Sequence, residues 1–279
     1  MILIADSGST KTDWCVSERG NSLQQLTTKG INPFFQAEEA IEDEIRSALL
    51  PLLKIRTFDA LYFYGAGCLP GKIPPMRKAL GKYLPAKMTE VNPDILGAAR
   101  GLSGRNPGIV CILGTGSNSC YYDGEKIVQN VPPLGFILGD EGSGAVLGKQ
   151  LAGGLLKNLL PEKLKEKFFQ EFALTPEMII DRVYRQPFPN RFLASLSPFL
   201  ARNRQEPEVK ALILSSFSSF LRRNVMQYDF RNIPIRFTGS IAWHYREILE
   251  EALREAGMQA ACITQSPMEG LIRYHEEFT

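Results

Sequence analysis

Two short turns rich in glycine and hydroxyl groups carry the clearest chemistry in the sequence. They are the runs 6–11 (DSGSTK) and 114–118 (GTGSN). Glycine lets the backbone approach an anion closely, and successive amide N–H groups in such a turn form an anion-binding nest. Serine and threonine hydroxyls add donors, and the ammonium group of Lys11 adds a positive charge. Asp6, at the end of a predicted strand, is suited to hold Mg²⁺ through water, because this ion keeps most of its hydration shell.

Both turns also have a simpler interpretation as ordinary hairpins, in which Gly, Ser and Asn are common. Either turn alone would favour that interpretation, but two of them at matching positions of a repeated order of elements favour anion binding. Neither turn fits the two standard nucleotide-binding signatures, the P-loop and the dinucleotide fingerprint. The segment nearest to a P-loop lies elsewhere in the chain. The run 143–150 (SGAVLGKQ) has Ser where a P-loop begins with Gly and has Gln after its Lys, and the run 114–119 lacks the third Gly of the dinucleotide fingerprint.

The predicted strands and helices that position the two turns occur in the same order in both halves of the chain. The apolar pattern predicts in each half three strands, followed by helix, strand, helix, strand and helix. In the first half, predicted strands cover 2–6, 13–18, 23–29, 61–64 and 87–91, and predicted helices cover 36–54, 74–83 and 94–102. In the second half, predicted strands cover 109–113, 119–123, 126–131, 233–238 and 260–264, and predicted helices begin near 140 and cover 242–256 and 267–277. This order predicts an α/β protein with a mixed sheet and covering helices in each half.

The turn-rich run 103–108 (SGRNPG) predicts the boundary between the two halves. We expect an N-terminal domain over 1–106 and a C-terminal domain over 107–279, with a basic helical insertion at about 151–231. The sequence is also compatible with a last helix that packs back on the N-terminal domain. Two such domains predict a central cleft, which is where small-molecule sites usually lie.

Composition excludes several broad classes of protein. Among the 279 residues, Lys plus Arg is 32 and Asp plus Glu is 30, and a net charge of +2 gives no reason to expect nucleic acid. No apolar run is long enough for a membrane span, and the N-terminus shows no signal-peptide pattern. The 5 Cys are scattered, and with 2 His no zinc motif can be assembled by spacing. We therefore expect buried free thiols in a reducing cytoplasm.

The motifs resemble those of the sugar kinase/Hsp70/actin superfamily. The runs 6–11, 114–118 and 239–240 are similar to its phosphate-1, phosphate-2 and adenosine motifs. More narrowly, the run 114–118 followed by 139–143 (GDEGS) resembles the BadF/BadG/BcrA/BcrD ATPase family and its N-acetylglucosamine kinases. The resemblance covers nearly the whole chain and is weakest over 151–231. It implies two ribonuclease-H-like domains, the actin-like ATPase fold, with ATP and Mg²⁺ in the cleft.

The resemblance also implies roles for individual residues. Asp94 matches the catalytic aspartate, and Asp6 would organise Mg²⁺ through water. The positions expected to hold the nucleotide are Gly8, Ser9, Thr10, Lys11, Gly114, Thr115 and Gly116 for the phosphates, and Gly239 and Ser240 for adenosine. The positions that match sugar contacts are Asn32, Thr115, Gly135, Phe136 and Asp140.

Some of these residues also fit plainer structural roles. Asp94 opens a predicted helix and would serve as its N-cap, a role compatible with catalysis. Asp140 and Glu141 stand at a predicted helix start, where the dipole favours acidic side chains; we prefer that interpretation for Glu141 and sugar binding for Asp140. The chain departs from the family pattern at Ser7, where many members have Gly, and at Phe136, which replaces a Trp found in some kinases.

Three functions are compatible with the sequence. The resemblance implies first an ATP-dependent phosphotransferase that converts N-acetylglucosamine to its 6-phosphate, with N-acetylmuramate or glucosamine as alternative acceptors. The second is an ATPase activator of another enzyme, of the 2-hydroxyacyl-CoA dehydratase activator type, which would need thiolates for an iron–sulfur cluster; Cys111 and Cys120 show no matching cluster loop. The third is a nucleotide-switched binding module, for which 279 residues leave little room. The expected partner is a small amino sugar, and neither nucleic acid nor a membrane is expected. The sequence is compatible with a homodimer.

Overall fold

Strand β1 (Ile2–Ser7) forms the centre of the first sheet, because its apolar residues are buried on both faces. The other strands are β2 (Lys11–Glu18), β3 (Asn21–Lys29), β4 (Phe58–Gly65) and β5 (Ala86–Pro93). Their order across the sheet is β3-β2-β1-β4-β5. Strand β2 is antiparallel to β1 and β3, whereas β4 is parallel to β1 and β5. The carboxyl ends of β1, β4 and β5 therefore meet at one edge of the sheet.

Helices cover both faces of this sheet. One face packs against α1 (Glu38–Glu44), a π-helical segment (Ile45–Leu49) and α2 (Ile73–Tyr83). The other face packs against α3 (Asp94–Ser103) and the C-terminal helix (Met268–Glu276). The single helix predicted over 36–54 is wrong in its extent. The π-helical segment ends at Leu49, and the amides of Leu52 and Leu53 form a final turn by both donating to the Leu49 carbonyl. Pro51 lacks an amide N–H and so cannot continue the hydrogen-bond series of the segment.

The second sheet repeats the strand order of the first. It contains β6 (Gly108–Leu113), β7 (Ser117–Tyr122), β8 (Ile127–Val131), β9 (Ile235–Thr238) and β10 (Ala260–Thr264). Their order is β10-β9-β6-β7-β8, so each sheet has its third, second, first, fourth and fifth strands side by side. The predicted α/β class with two mixed sheets and a duplicated order of elements is confirmed.

The helices that accompany the second sheet include the predicted helical region 151–231. They are α4 (Gly135–Leu138), α5 (Gly144–Leu156), α6 (Glu162–Phe172), α7 (Pro176–Tyr184), α8 (Pro189–Arg202), α9 (Pro207–Arg223), α10 (Ser240–His244) and α11 (Arg246–Glu255). The helix predicted over 242–256 is thus two helices that meet at Tyr245, whose φ of −111° and ψ of 21° are not helical. No helix in the described part of the chain is long and apolar enough to cross a bilayer.

The computed structural model describes residues 1–276, which form two compact units. Among these residues, unit 1 comprises 1–110, 120–129 and 266–276, and unit 2 comprises 111–119 and 130–265. The C-terminal helix packs on α3 within unit 1. There Gly270 lies so close to the Gly101 carbonyl that the site has no room for a side chain. The domain limits predicted at 106 and 107 stay a prediction.

Candidate functional site

The strand register of unit 1 brings the first turn and Asp94 to the same sheet edge. Ser7 pairs with Gly65 of β4, and Gly65 pairs with Pro93 of β5. Because neighbouring strands lie about 4.8 Å apart, the backbones of Gly8 and Asp94, which follow Ser7 and Pro93, are separated by about 10 Å. Gly8 and Asp94 are far apart in the sequence. The parallel pairing of β1 with β4 and of β4 with β5 brings them to the same edge of the sheet.

The first turn is a tight hairpin with Ser9 and Thr10 at its tip. The amide of Gly8 donates to the carbonyl of Lys11 at 2.9 Å, which closes the two-residue loop. The Lys11 side chain is 58% exposed, and its Nζ lies 2.6 Å from Oδ2 of Asp13. The four predicted phosphate-binding residues of this turn are therefore adjacent, and the lysine ammonium is held at its edge.

Asp13 is a residue of this site that the sequence interpretation missed. It lies directly opposite Asp6 across the β1–β2 pair. Its Oδ1 accepts a hydrogen bond of 2.9 Å from the hydroxyl of Thr27 on β3, while its Oδ2 binds Lys11. The signal that would have found it is the hairpin symmetry, which pairs position 6 with position 13.

The carboxyl group of Asp6 is partly buried among other acidic groups. Burial is the main cause that raises its pKa to about 7, and the nearby carboxylates of Asp94 and Asp13 raise it further, while Lys11 acts in the opposite direction. A carboxyl group with this pKa favours a cation next to it, since a positive charge would stabilise the ionised form.

Asp94 is the first residue of α3 rather than its N-cap, so the predicted capping role is wrong. The N-cap residue is Pro93, whose backbone is extended. Oδ1 of Asp94 accepts from the amide of Ile95 at 2.8 Å. Burial raises the pKa of Asp94 to about 6, and hydrogen bonds from backbone amides act against that rise. The carboxylate is therefore fixed at a helix start with a pKa close to neutral.

The donor set at this edge fits Mg²⁺ held mainly through water and phosphate. Among residues 1–276, no group of three or more His, Cys, Asp or Glu side chains is arranged to hold a metal ion. Mg²⁺ is usually bound by one or two carboxylates together with waters and substrate phosphates. Asp6 and Asp94 are two carboxylate donors, and the charge of Asp94 raises the pKa of Asp6, so a cation beside them would favour the ionised form of Asp6.

A polar network behind Asp94 was also missed by the sequence interpretation. Arg100 on α3 donates to the hydroxyl of Tyr64 at 2.8 Å and to Glu90 at 2.7 Å. His275 of the C-terminal helix lies 2.8 Å from the same hydroxyl. Burial, and then Arg100, lower the pKa of His275 to about 4. The network fixes α3, and with it Asp94, against the sheet.

The predicted sugar residue Asn32 lies in a loop that touches the first hairpin. Asn32 is 4% exposed, and its side-chain Oδ1 accepts a hydrogen bond from the main-chain amide of Phe34 at 3.0 Å. The main-chain amide of Asn32 donates to Oε1 of Gln36 at 2.6 Å. Gly30 packs directly on the hairpin, because a Cβ there would lie 2.5 Å from the carbonyl oxygen of Gly8. Sequence reasoning found Asn32 and missed Gly30 and Gln36.

The second turn, in unit 2, is held by the start of helix α5. The amide of Gly114 donates to the Gly116 carbonyl at 2.9 Å. The amides of Gly144 and Ala145 donate to the carbonyls of Gly114 and Thr115 at 2.8 and 3.0 Å. Two N–H groups that helix α5 cannot pair internally are thereby satisfied by the turn.

Asp140 braces the same turn and does not begin a helix. Its Oδ1 accepts from the amide of Ser117 at 3.1 Å. Its φ of 54° is left-handed, and α5 begins only at Gly144, after Ser143 accepts a capping bond from Val146 at 3.2 Å. The helix start predicted near Asp140 and Glu141 is therefore wrong, because the Ser143 cap fixes it later.

The remaining predicted residues of unit 2 lie in two places. Gly239 has a φ of 111° and approaches the carbonyl of Leu113, the residue before the second turn, so closely that no Cβ fits. Ser240 follows it as the first residue of α10 and is exposed. Gly135 and Phe136 form the start of α4, and the Phe136 carbonyl accepts from Nζ of Lys149 at 2.6 Å.

Comparison with known proteins gives the class first and then the family. No family model matches the sequence, and no curated protein sequence matches it. Among solved structures, a ROK family glucokinase from Streptomyces griseus, crystallised with glucose and AMPPNP, covers 98% of this chain and 97% of its own at a TM-score of 0.57 and 14% identity. A protein from Chromobacterium violaceum, provisionally described as an N-acetylglucosamine kinase, covers 98% of both chains at a TM-score of 0.77 and 18% identity. The fold is therefore that of the two-domain sugar kinases.

A third structure is much more similar in sequence. It is a protein from Porphyromonas gingivalis, provisionally described as an N-acetylglucosamine kinase, with 53% identity and a TM-score of 0.95 over 100% of this chain and 99% of its own. The chain belongs to the family of N-acetylglucosamine kinase-like proteins that contains this P. gingivalis protein, as the resemblance of its motifs predicted.

Proposed function

We propose that this protein is a kinase that transfers the γ-phosphate of ATP to an amino sugar, with the 6-hydroxyl of N-acetylglucosamine as the acceptor. The observation that carries the proposal is the position of Asp94 at the same sheet edge as Asp6 and the Gly8 hairpin. The description of the P. gingivalis protein, 53% identical over nearly its whole length, supports the choice of sugar.

The first hairpin binds phosphate oxygens through Gly8, Ser9 and Thr10, with Lys11 as a neighbouring positive charge. Gly114, Thr115 and Gly116 of the second hairpin have the same role. Such turns offer amide N–H groups without a side chain in the way. Gly239 and Ser240 contact adenosine, which is consistent with the absence of room for any side chain at position 239.

Asp94 is the catalytic base. Its carboxylate accepts the proton of the sugar hydroxyl while that oxygen bonds to the γ-phosphorus of ATP. The bond between the γ-phosphorus and the bridging oxygen breaks, and ADP leaves with the electron pair. A pKa of about 6 keeps most of the group ionised at neutral pH and close to the range in which proton transfer is efficient.

Asp6 holds Mg²⁺ through water. When bound with ATP, the ion neutralises charge on the phosphates during the transfer. The raised pKa of Asp6 supports this role, because a cation at this position would restore the ionised form at neutral pH.

The residues proposed to contact the sugar are the ones that the motifs predict: Asn32, Gly135, Phe136, Asp140 and Thr115, of which Thr115 also contacts phosphate. Asn32 is held in place by its neighbours. Phe136 offers an apolar ring to the face of a sugar. Asp140 contacts a hydroxyl while its other oxygen braces Ser117.

The test is ADP release by the purified protein with ATP, Mg²⁺ and a panel of sugars, followed by phosphorus NMR of the product. We expect turnover with N-acetylglucosamine and a phosphate on its 6-hydroxyl, and weaker turnover with N-acetylmuramate and glucosamine. ATP hydrolysis that no sugar accelerates would contradict the proposal and favour a nucleotide-switched binding module.

The activator alternative is not favoured by the state of the cysteines. A bridging iron–sulfur cluster needs thiolates, whereas Cys111 and Cys120 are fully buried. Burial raises the pKa of the Cys120 thiol to about 12, so it stays protonated at neutral pH. Iron in anaerobically purified protein would revive this alternative.

We also propose a cytoplasmic location, with the sugar as partner and neither nucleic acid nor membrane. The five cysteines, all among the described residues, form no disulfide, and four are buried, which suits a reducing compartment. Light scattering of the purified protein decides between a monomer and a homodimer.

A further inference from the structure

Two buried hydroxyl groups at the base of the first hairpin have no part in the proposed mechanism. Ser7 and Thr12 pair across β1 and β2, and their Oγ and Oγ1 atoms lie 2.6 Å apart. Both residues have an exposure of 0%. We call this pair the hydroxyl bridge. It lies one residue inside Gly8 and Lys11, so it is beside the phosphate turn without facing a ligand.

The hydroxyl bridge holds the main chain of Ile31. Oγ of Ser7 donates to the Ile31 carbonyl at 2.9 Å and accepts from the Ile31 amide at 3.0 Å. The same amide lies 3.2 Å from Oγ1 of Thr12. A serine hydroxyl has one proton and two lone pairs. Oγ1 of Thr12 lies 2.6 Å from Oγ of Ser7 and 3.2 Å from the Lys29 carbonyl oxygen. The two hydroxyl protons are therefore shared among Ser7, Thr12 and the carbonyls of Ile31 and Lys29.

The next contact along the chain joins the same two segments. The amide of Gly30 donates to the carbonyl of Thr10 at 3.0 Å, and the Gly30 backbone packs on Gly8 and Ser9. Residues 30 and 31 are thus bound to the hairpin by main-chain and hydroxyl hydrogen bonds, and Asn32 follows immediately. Close-packed segments of this kind move together.

We propose that the hydroxyl bridge couples sugar binding at Asn32 to nucleotide binding at the Gly8 hairpin, so that each ligand tightens the other. This inference rests on the proposed function. A sugar that fixes Asn32 also fixes Ile31, and through Ser7 it fixes the turn that receives the phosphates. Ser7 is a positioning residue, because it acts through Ile31 and contacts neither ligand.

The test compares the affinity for AMPPNP with and without saturating N-acetylglucosamine by calorimetry. In the wild-type protein we expect the sugar to tighten AMPPNP binding about 10-fold, within the usual range of such couplings. In Ser7→Ala, the carbonyl and amide of Ile31 lose their Ser7 partner, and the tightening should fall below about 2-fold. By reciprocity, saturating AMPPNP should tighten N-acetylglucosamine binding about 10-fold in the wild-type protein and less than about 2-fold in Ser7→Ala. The KM for sugar at saturating ATP should therefore rise in Ser7→Ala, with kcat nearly unchanged.

The matched control is Thr28→Val, which removes another buried hydroxyl from the same sheet. Oγ1 of Thr28 accepts from Nε1 of Trp14 at 3.0 Å and has no contact with Ile31. This variant should keep the wild-type coupling. If Ser7→Ala does not fold, Thr12→Val replaces it, and Thr12→Ser, which retains the hydroxyl, should restore the coupling.

Equal tightening in wild type and Ser7→Ala overturns the inference, and so does a wild-type protein in which sugar leaves AMPPNP affinity unchanged. Failure of the proposed function is seen separately, as a wild-type protein that releases no ADP with any sugar. Hydrogen exchange gives a readout that needs no ligand: the amide of Ile31 should exchange faster in Ser7→Ala than in Thr28→Val. Equal exchange rates in the two variants also overturn the inference.

Discussion

The two glycine hairpins occupy matching places in two sheets of the same strand order, yet different groups hold them in shape. The first is closed by side chains of its own strands, through the hydroxyls of Ser7 and Thr12 and the Lys11–Asp13 ion pair, and it is also bound by the main chain of Gly30 and Ile31. The second is held from outside, by the first amides of α5 and by the carboxylate of Asp140.

The two hairpins also differ in the number of charged side chains around them. The first hairpin has Asp6, Lys11, Asp13 and Asp94 around it, and two of these carboxyl groups have raised pKa values. The second is surrounded mainly by main-chain groups. A duplicated order of elements therefore conserves the positions of two turns, while the chemistry is concentrated at one of them.

Asp94→Asn should have the largest effect and should test the chemical role of the first hairpin. Because an amide cannot accept the proton of the sugar hydroxyl, we expect kcat to fall by about 10²- to 10⁴-fold. Affinity for AMPPNP should be nearly unchanged. Steady-state kinetics and calorimetry measure the two quantities, and the exposed Asp43→Asn is the matched control. Full activity of Asp94→Asn would mean that another group is the base.

Gly239→Ala should have the largest effect on the folding of the second hairpin. The new Cβ would collide with the Leu113 carbonyl, and the φ of 111° is strained for alanine. We expect the free energy of unfolding to fall by about 3 kcal/mol. Urea denaturation measures it, with Gly71→Ala as the control, since position 71 has open space around it. Gly30→Ala applies the same test to the first hairpin, and an equal stability in all three variants would contradict the tight packing of both.

Two variants of Asp140 separate its structural and binding roles at the second hairpin. Asp140→Ala removes the acceptor of the Ser117 amide and places alanine at a φ of 54°, so we expect a loss of about 2 kcal/mol in stability. Asp140→Asn keeps an acceptor oxygen and tolerates the left-handed backbone, so stability should change by less than about 0.5 kcal/mol. A rise in the sugar KM of Asp140→Asn, without that loss, would support sugar contact. An unchanged KM would leave only the bracing role.

The smallest expected effect is the pH dependence of stability at the first hairpin. The pKa of Asp6 is about 7 in the folded protein, above its ordinary value of 3.8. The folded form therefore binds the proton more tightly than the unfolded chain, and this stabilisation is present below pH 3.8 and is lost as the pH rises to about 7. Asp6→Asn should raise the melting temperature of the ligand-free protein by a few degrees at pH 8, by less at pH 5, and leave it nearly unchanged below about pH 3.8.

A control of opposite sign is available for that measurement. Hydrogen bonds from Lys87 and the N-terminal amine lower the pKa of Asp59 to about 2. Asp59→Asn should therefore lower the melting temperature slightly at pH 8. If Asp6→Asn and Asp59→Asn shift the melting temperature in the same direction, the assigned surroundings of Asp6 are wrong. Activity should also decline as the pH falls through about 6, because Asp94 becomes protonated.

Much of the fold could be predicted from local sequence. The apolar run of β1, the two turns and the amphipathic helices follow from the spacing of apolar residues, because burial has the period of the element. Errors arose where a single residue decides a boundary, as Pro51 does for the first helix and Ser143 does for α5. The break at Tyr245 left no comparable signal in the sequence.

The candidate site was predicted less completely than the fold. Its glycines, Asp94 and Asp140 came from motif resemblance, and their roles stay proposals. The Ser7 link to Ile31 and the Lys11–Asp13 pair were not found, because strand pairing decides which side chains face each other. The register of the sheet, and not distance along the chain, makes Asp13 a neighbour of Asp6.

By itself the sequence determined the order of elements, the two glycine-rich turns and the number and positions of the carboxylates, because these depend on residue type and local spacing. Only the tertiary structure decided that Asp6 and Asp94 share one sheet edge and have raised pKa values. Those values come from burial and from charges that lie far apart in the chain, which interact only after the parallel strands have paired.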